Sequence, residues 1–327
     1  MARYDVYGLG NALLDVECAV ETSVLAELGI EKGVMTLLDE ESQNKILQHL
    51  GDNSPKRTSG GSGANTIVAI SQFGGKTFYS CKVAQDEPGE HYLKDLQDCG
   101  VETNLNSTGV GVTGKCLVFV TPDADRTMNT FLGISANLAI NDLVPEAIAD
   151  STYTYIEGYL VTGETTLNSA IKARELAAAA GQKTALTLSD PNMAKFFKPA
   201  LLDIIGPGVD LLFTNDAEAF EMAGTQDLGM AIEYLKTLAK TFALTLGAKG
   251  SLIFDGENLL EIAPFPVKAI DTVGAGDIYA AGVLYGITNG LDWATAGRLG
   301  SMASSKLVTT LGARMATAEV QVLLSKL

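Results

Sequence analysis

The chain has 327 residues, 46% of them hydrophobic, and a formal net charge of −16. This length fits one large α/β domain or two modest ones, with ample apolar material for a core. The acidic balance repels nucleic-acid phosphates and anionic lipid, so neither is expected as a partner. The first strand begins almost at the N-terminus, in residues 4–9, with no signal-peptide core before it and no bilayer-length apolar stretch after it. Residues 13–20 and 33–37 then alternate like exposed antiparallel strands. A Gly-rich loop leads into a buried helix over 66–73, followed by a strand over 78–83 and a helix over 90–99. Residues 113–120 and 127–132 alternate again, joined through Pro122-Asp123-Ala124-Asp125, a turn composition. From residue 153 onward strands (153–157, 184–188, 211–214, 241–246) alternate with helices (164–180, 216–223, 228–240), which predicts a mostly parallel sheet covered on both faces.

The two alternating regions predict a small β-sheet lid, residues 12–37 and 112–132, inserted into a three-layer α/β/α core that makes residues 1–327 one domain. Cys18, Cys81, Cys99 and Cys116 are scattered without a C-x-x-C pair, and His49 and His91 are the only histidines. A zinc site, a redox motif and a histidine-based triad are therefore hard to build. Free thiols suit a reducing cytoplasm, where the protein is expected.

The motif with the most chemistry is Ile270-Asp271-Thr272-Val273-Gly274-Ala275-Gly276-Asp277, followed by an apolar run over 278–287. Small residues let backbone N–H groups converge where a helix begins, and such a turn holds an anion. A phosphoryl group in transfer spreads its charge over peripheral oxygens and fits that cradle. Asp277 then stands ready to accept a proton from an attacking hydroxyl, with ordinary carboxylate basicity sufficient. A helix start built from turn residues explains the same letters, although two acidic residues around Gly-Ala-Gly exceed what a cap needs.

Ser59-Gly60-Gly61-Ser62-Gly63-Ala64-Asn65 precedes a helical run, and its glycines permit close approach of a ligand while Ser62 and Asn65 offer hydrogen bonds. It lacks the Lys-Ser/Thr ending of a Walker A loop. Gly8-Leu9-Gly10-Asn11-Ala12-Leu13-Leu14-Asp15 starts like a dinucleotide fingerprint but no helix follows. Asn11 and Asp15 instead suit vicinal hydroxyls. Gly109-Val110-Gly111-Val112-Thr113-Gly114 does match G-x-G-x-x-G, yet leads into a strand and is read as chance. Asn215 and Glu218 lie one helical turn apart and fit either magnesium-bound water or helix capping. Thr245-Leu246-Gly247-Ala248-Lys249-Gly250 is a strand and Gly turn, passing along a nucleotide or simply reversing the chain.

Taken in order, Gly60-Gly61 with Asn65, Asn215-x-x-Glu218, Thr245-x-Gly247 and Asp271 to Asp277 resemble the ribokinase-like (PfkB) carbohydrate kinase family over nearly the whole chain. Residues 10–15 and Asp125-Arg126-Thr127 look like its adenosine kinase branch. The resemblance implies ATP-dependent phosphorylation of a nucleoside 5′-hydroxyl, adenosine first, with a free sugar such as ribose or a ketose as the alternative acceptor. It places a ribose on Asn11, Asp15, Gly60, Gly61, Ser62 and Asn65, and Arg126 over the reacting phosphates. Asp277 becomes the base, and Gly274, Ala275 and Gly276 the anion hole. ATP falls to Asn215, Glu218, Thr245, Gly247, Gly250 and Ser304, with Mg2+ reached from Glu218 through water and K+ near Asp271. Ser304 departs from the Asn or His that relatives carry beside the nucleotide base. Tyr159, Phe131 and Leu14 are candidates for the wall beside the acceptor base. Monomer and homodimer both stay open.

Overall fold

The computed structural model describes residues 2–33, 35–51, 56–104, 108–123 and 126–327. Nine strands form one sheet in the order Leu259–Ile262, Ser251–Phe254, Ala239–Thr245, Val209–Asn215, Lys183–Thr187, Ser151–Glu157, Tyr4–Leu9, Thr77–Ser80, Glu102–Thr103. From Glu102–Thr103 across to Ala239–Thr245 every pairing is parallel, and the last two strands add on antiparallel.

Successive residues of a strand point to opposite faces, and here both faces are buried. Val6, Tyr155, Ala185, Leu211 and Ala243 pack into one apolar cluster with helices Ser62–Gln72, Ala275–Thr288 and Trp293–Leu307. Their neighbours Tyr7, Ile156, Leu186, Leu212 and Leu244 pack into a second with Glu164–Ala179, Lys198–Ile205 and Leu228–Leu238. Burial on both sides is why these strands read as short continuous apolar runs, and it gives the expected three layers. Among the described residues no helix is long and apolar enough to cross a membrane.

The second sheet has five strands in the order Met35–Leu37, Arg126–Gly133, Thr113–Val120, Leu13–Ala19, Lys56–Gly60. Leu14, Val16, Leu117 and Phe119 on one face meet Leu25 and Ile46 of helices Thr22–Glu27 and Glu40–Leu50. One expectation is corrected and one strand is added. Alternation led to antiparallel strands, but Leu13–Ala19 runs parallel to Thr113–Val120, and Arg126–Gly133 runs parallel to Met35–Leu37. Alternation reports a half-buried face and carries no information about strand direction. Lys56–Gly60 also pairs antiparallel with Leu13–Ala19 as a fifth strand. Its Lys-Arg-Thr-Ser-Gly sequence lacks the apolar alternation that would reveal it. In the turn between 122 and 125, Ala124 and Asp125 lie outside the described residues.

Candidate active site

Ligands of open α/β sheets bind outside the carboxyl ends of the strands. Here those ends face the small sheet across a cavity of about 370 Å³. Glu157, Thr187, Asn215 and Thr245 reach it from the large sheet, and Asp15, Glu17, Val118 and Met128 from the small one. Thr272, Val273, Gly274, Gly276 and Asp277 complete the rim.

The turn is held from outside as well as within. Gly274 has φ 77° and caps the helix Ala275–Thr288; a Cβ there would lie 2.6 Å from the Ala313 carbonyl oxygen. Only glycine fits both the left-handed backbone and that contact. Asp271 is buried and accepts from the Val273 amide at 3.1 Å and the Gly312 amide at 2.7 Å. Arg126 Nη2 completes its surroundings at 2.7 Å. These partners are donors and a guanidinium rather than cation ligands, so the residues present do not fit K+ on the Asp271 carboxylate. Within the expected anion hole, the Ala275 amide donates to the Thr272 carbonyl at 3.2 Å.

Asp277 sits in the first turn of its helix and is gripped from the start of another. Ser62 Oγ donates to Oδ1 at 2.7 Å and Asn65 Nδ2 donates to Oδ2 at 3.1 Å. Burial raises its pKa above the usual carboxylate range, against the pull of these two bonds and of the Arg314 charge. Ordinary carboxylate basicity would suffice for this role, and burial moves Asp277 upward from it.

On the acceptor side, Asn11 is buried, its amide N–H donating to Glu157 Oε2 at 2.6 Å and its Oδ1 accepting from Ser135 Oγ at 2.8 Å. Gly61 has φ 93°, and a Cβ on it would lie 2.4 Å from the Asn11 carbonyl oxygen. A Cβ on Gly60 would strike the Asp15 carboxyl group at 2.2 Å, so this glycine makes room for Asp15 without lining the cavity itself. Burial pushes Asp15 up to about 7 although Arg314 and Arg126 pull it down.

Two-residue periodicity sorts the wall candidates. Leu13, Asp15 and Glu17 line the cavity, so Leu14 belongs to the opposite face, where it packs beside Leu25. Met128, Thr130 and Leu132 line it as well, which turns Phe131 away. Tyr159 does line it.

Asn215 and Glu218 form a reciprocal helix cap. Asn215 Oδ1 accepts from the Glu218 amide at 2.8 Å, while Glu218 Oε2 accepts from the Asn215 amide at 3.0 Å. Both also line the cavity, so capping and ligand contact are compatible. Burial pushes Glu218 up to about 7. No cluster of three His, Cys, Asp or Glu suited to a metal occurs among the described residues. Magnesium commonly keeps its waters and leans on substrate phosphates, so a single carboxylate such as Glu218 fits it through water. Thr245 reaches the cavity, whereas Gly247 and Gly250 form the following turn with φ 58° and 95° and stay outside its lining. Ser304 also stays outside; its hydroxyl donates to the Ala275 carbonyl at 2.7 Å and ties two helices together.

Two residues of the site escaped the sequence reading. Glu157 ends a buried strand and looks like a boundary residue, yet it accepts from the amides of Asn11 and Gly63 at 2.6 and 3.0 Å. Arg314 stands in a segment without a motif, and donates from Nε to Asn65 Oδ1 at 2.9 Å. The one available signal was a carboxylate at the end of a strand that is otherwise fully apolar or hydroxylic.

A three-layer sheet with a glycine turn, a gripped carboxylate and a buried arginine facing one cavity defines a phosphotransferase with a hydroxyl acceptor. Comparison with known proteins gives the family. Residues 40–319 match the pfkB family carbohydrate kinase, and the chain belongs to that family. It is a sugar or nucleoside kinase, and kinases of this family use ATP and a divalent metal. A crystal structure of a probable sugar kinase from Rhizobium etli CFN 42 has TM-score 0.92 and 30% identity, covering 100% of this chain and 99% of that one. That of adenosine kinase from Sinorhizobium meliloti has TM-score 0.90 and 32% identity, covering 99% of each. Fructoselysine 6-kinase of Shigella flexneri is 29% identical over 82% of this chain and 99% of its own.

Proposed function

We propose that the enzyme transfers the γ-phosphoryl group of ATP to the 5′-hydroxyl of a ribonucleoside, adenosine first. The observation that carries this reading is the mixed lining of the cavity. Asn11, Asp15, Asn65 and Asp277 supply polar groups, and Leu13, Met35, Leu37, Val118, Met128 and Leu132 of the small sheet supply an apolar wall. Vicinal ribose hydroxyls match the polar groups. An aromatic base matches the wall, which a free sugar would leave in contact with hydroxyls.

In this reading Asp277 accepts the proton of the 5′-hydroxyl as its oxygen bonds to the γ-phosphorus and the bond to ADP breaks. The amides of Gly274 and Gly276, which line the cavity at the helix start, carry the charge of the moving phosphoryl group, whereas the Ala275 amide is engaged by the Thr272 carbonyl and stands outside the lining. Ser62 and Asn65 orient the Asp277 carboxylate. Arg126 exchanges Asp271 for phosphate oxygen as the small sheet acts as a lid that excludes water. Asn215, Glu218 and Thr245 face ATP, and bound Mg2+ supplies charge neutralisation at the phosphates.

The test is ADP release with adenosine, other nucleosides, ribose and fructose under the same MgATP. Adenosine should give the highest kcat/KM, by at least about 100-fold over ribose, as loss of an aromatic base from an apolar slot implies. A free sugar outperforming every nucleoside would transfer the assignment to the sugar kinases of the family.

A further inference from the structure

Arg314 takes no part in the chemistry just described, yet it lines the cavity beside Asn65. Its Nε–H donates to Asn65 Oδ1 and Nη1 donates to Asp95 Oδ2, both at 2.9 Å, with 13% of the side chain exposed. Asp95 also accepts from the Ser59 hydroxyl. The backbone around Arg314 is fastened on both sides, by Gly312 N–H to Asp271 at 2.7 Å and by Gln72 Nε2 to the Met315 carbonyl at 3.0 Å.

We propose that Arg314 is a positioning residue for phosphoryl transfer, which acts by aiming the Asn65 amide at the general base. The argument is one of donors and acceptors. An arginine nitrogen only donates, so the atom of Asn65 facing it is the oxygen, and Nδ2 is left to donate to Asp277. Without that constraint the amide is free to rotate and to set its oxygen against the carboxylate, a repulsive contact. The planar fork also reaches Asp95 at the same time, which a lysine ammonium cannot do with the same geometry.

Charge acts in the same direction. Asp277 is flanked by Asp15 from the small sheet, by Glu157 and Tyr155 from the large one and by Tyr159 from the turn Gly158–Thr162 that follows it, and Arg314 is the cation that lowers its pKa. Loss of Arg314 therefore raises the pKa of Asp277 and moves the acid limb of activity to higher pH.

The inference rests on Asp277 being the base, and the experiment separates the two. With adenosine and MgATP, Arg314→Gln should lower kcat about 30-fold, leave KM for ATP within about twofold, and move the acid limb of kcat/KM up by about one pH unit. Asn65→Ala should lose a similar amount, and the double variant no more than about threefold beyond it, since both act through one bond. A lower Tm with unmoved kcat and pH profile would mean that Arg314 is only a structural stitch. Losses that multiply in the double variant would equally overturn the proposal. If Arg314→Gln fails to fold by circular dichroism, Asp95→Asn frees the Nη1 anchor and should lower kcat by a smaller factor without moving the acid limb to higher pH, since the Arg314 charge stays; an unchanged kcat would refute the proposal. An active Asp277→Asn would sink the base assignment instead. Should adenosine not be turned over, carbon NMR of aspartate-labelled protein without substrate gives the Asp277 pKa directly, and equal values with and without Arg314 contradict the inference.

Discussion

Arg126 Nη2 lies 2.7 Å from Asp271 Oδ2, with the two side chains only 7% and 2% exposed. A guanidinium of the small sheet thus closes on the first carboxylate of the turn Asp271 to Asp277, joining the small sheet to the turn at the rim of the cavity. Breaking a buried pair from one side strands the other charge, which costs about 3–5 kcal/mol. Arg126→Met should lower the stability by that order in urea unfolding and reduce kcat by about 10³, the scale of an arginine acting on transferring phosphate. Unchanged stability would show that the pair does not form in solution.

The apolar wall gives a second prediction. Val118 contributes to it from the centre of the small sheet, between Leu13–Ala19 and Arg126–Gly133. Val118→Asn should raise KM for adenosine about tenfold with kcat nearly constant, because a contact with the base is made equally before and during reaction. A matching fall in kcat with KM unchanged would place Val118 at the reacting end of the acceptor.

A third concerns the cap. Asn215→Ala removes the side-chain oxygen that accepts from the Glu218 amide at 2.8 Å and also the donor to Glu218 Oε1 at 2.8 Å. The expected loss is about 1–2 kcal/mol in chemical denaturation. If Glu218 also holds magnesium-bound water, the Mg2+ concentration for half-maximal activity should rise in the same variant. Full stability in the variant would deny the cap any energetic role.

Buried carboxyl groups predict how stability depends on pH. Burial pushes Glu157 from 4.5 up to about 7, against its two backbone hydrogen bonds. Its folded pKa is raised, so between pH 4.5 and about 7 the folded state binds more protons than the unfolded chain. Stability therefore falls as pH climbs through that window and levels off above it, by up to about 3 kcal/mol from this group. Glu218 and Asp15, both pushed up to about 7 by burial, add slopes of the same sign. Melting temperatures from pH 5 to 8 should decline in the wild type and decline less in Glu157→Gln. A steeper decline in the variant would contradict the assignment.

What could be read from the sequence was what local pattern determines. The parallel core showed itself because strands buried on both faces must be apolar runs, and Asp271 to Asp277 because a glycine turn between two aspartates has few structural uses. Asn215-x-x-Glu218 was legible as a pair, though its capping geometry and its place in the cavity needed coordinates. Strand direction in the small sheet, the polar strand Lys56–Gly60 and the role of Arg314 were not legible. Each depends on segments distant in sequence: Arg314 meets Asn65 across 249 residues, and nothing near either residue signals the other. The raised pKa of Asp277 was hidden for the same reason, since it comes from burial that only the assembled cavity creates.

The central claim is that Asp277 takes the proton from the acceptor hydroxyl. It is tested most directly by single-turnover formation of adenosine 5′-phosphate from adenosine and MgATP in wild type and Asp277→Asn, with ATP affinity measured alongside. The predicted result is a rate lower by about 10³ or more in the variant, with ATP affinity within about threefold of wild type. A variant that forms product at more than about a tenth of the wild-type rate would contradict the claim.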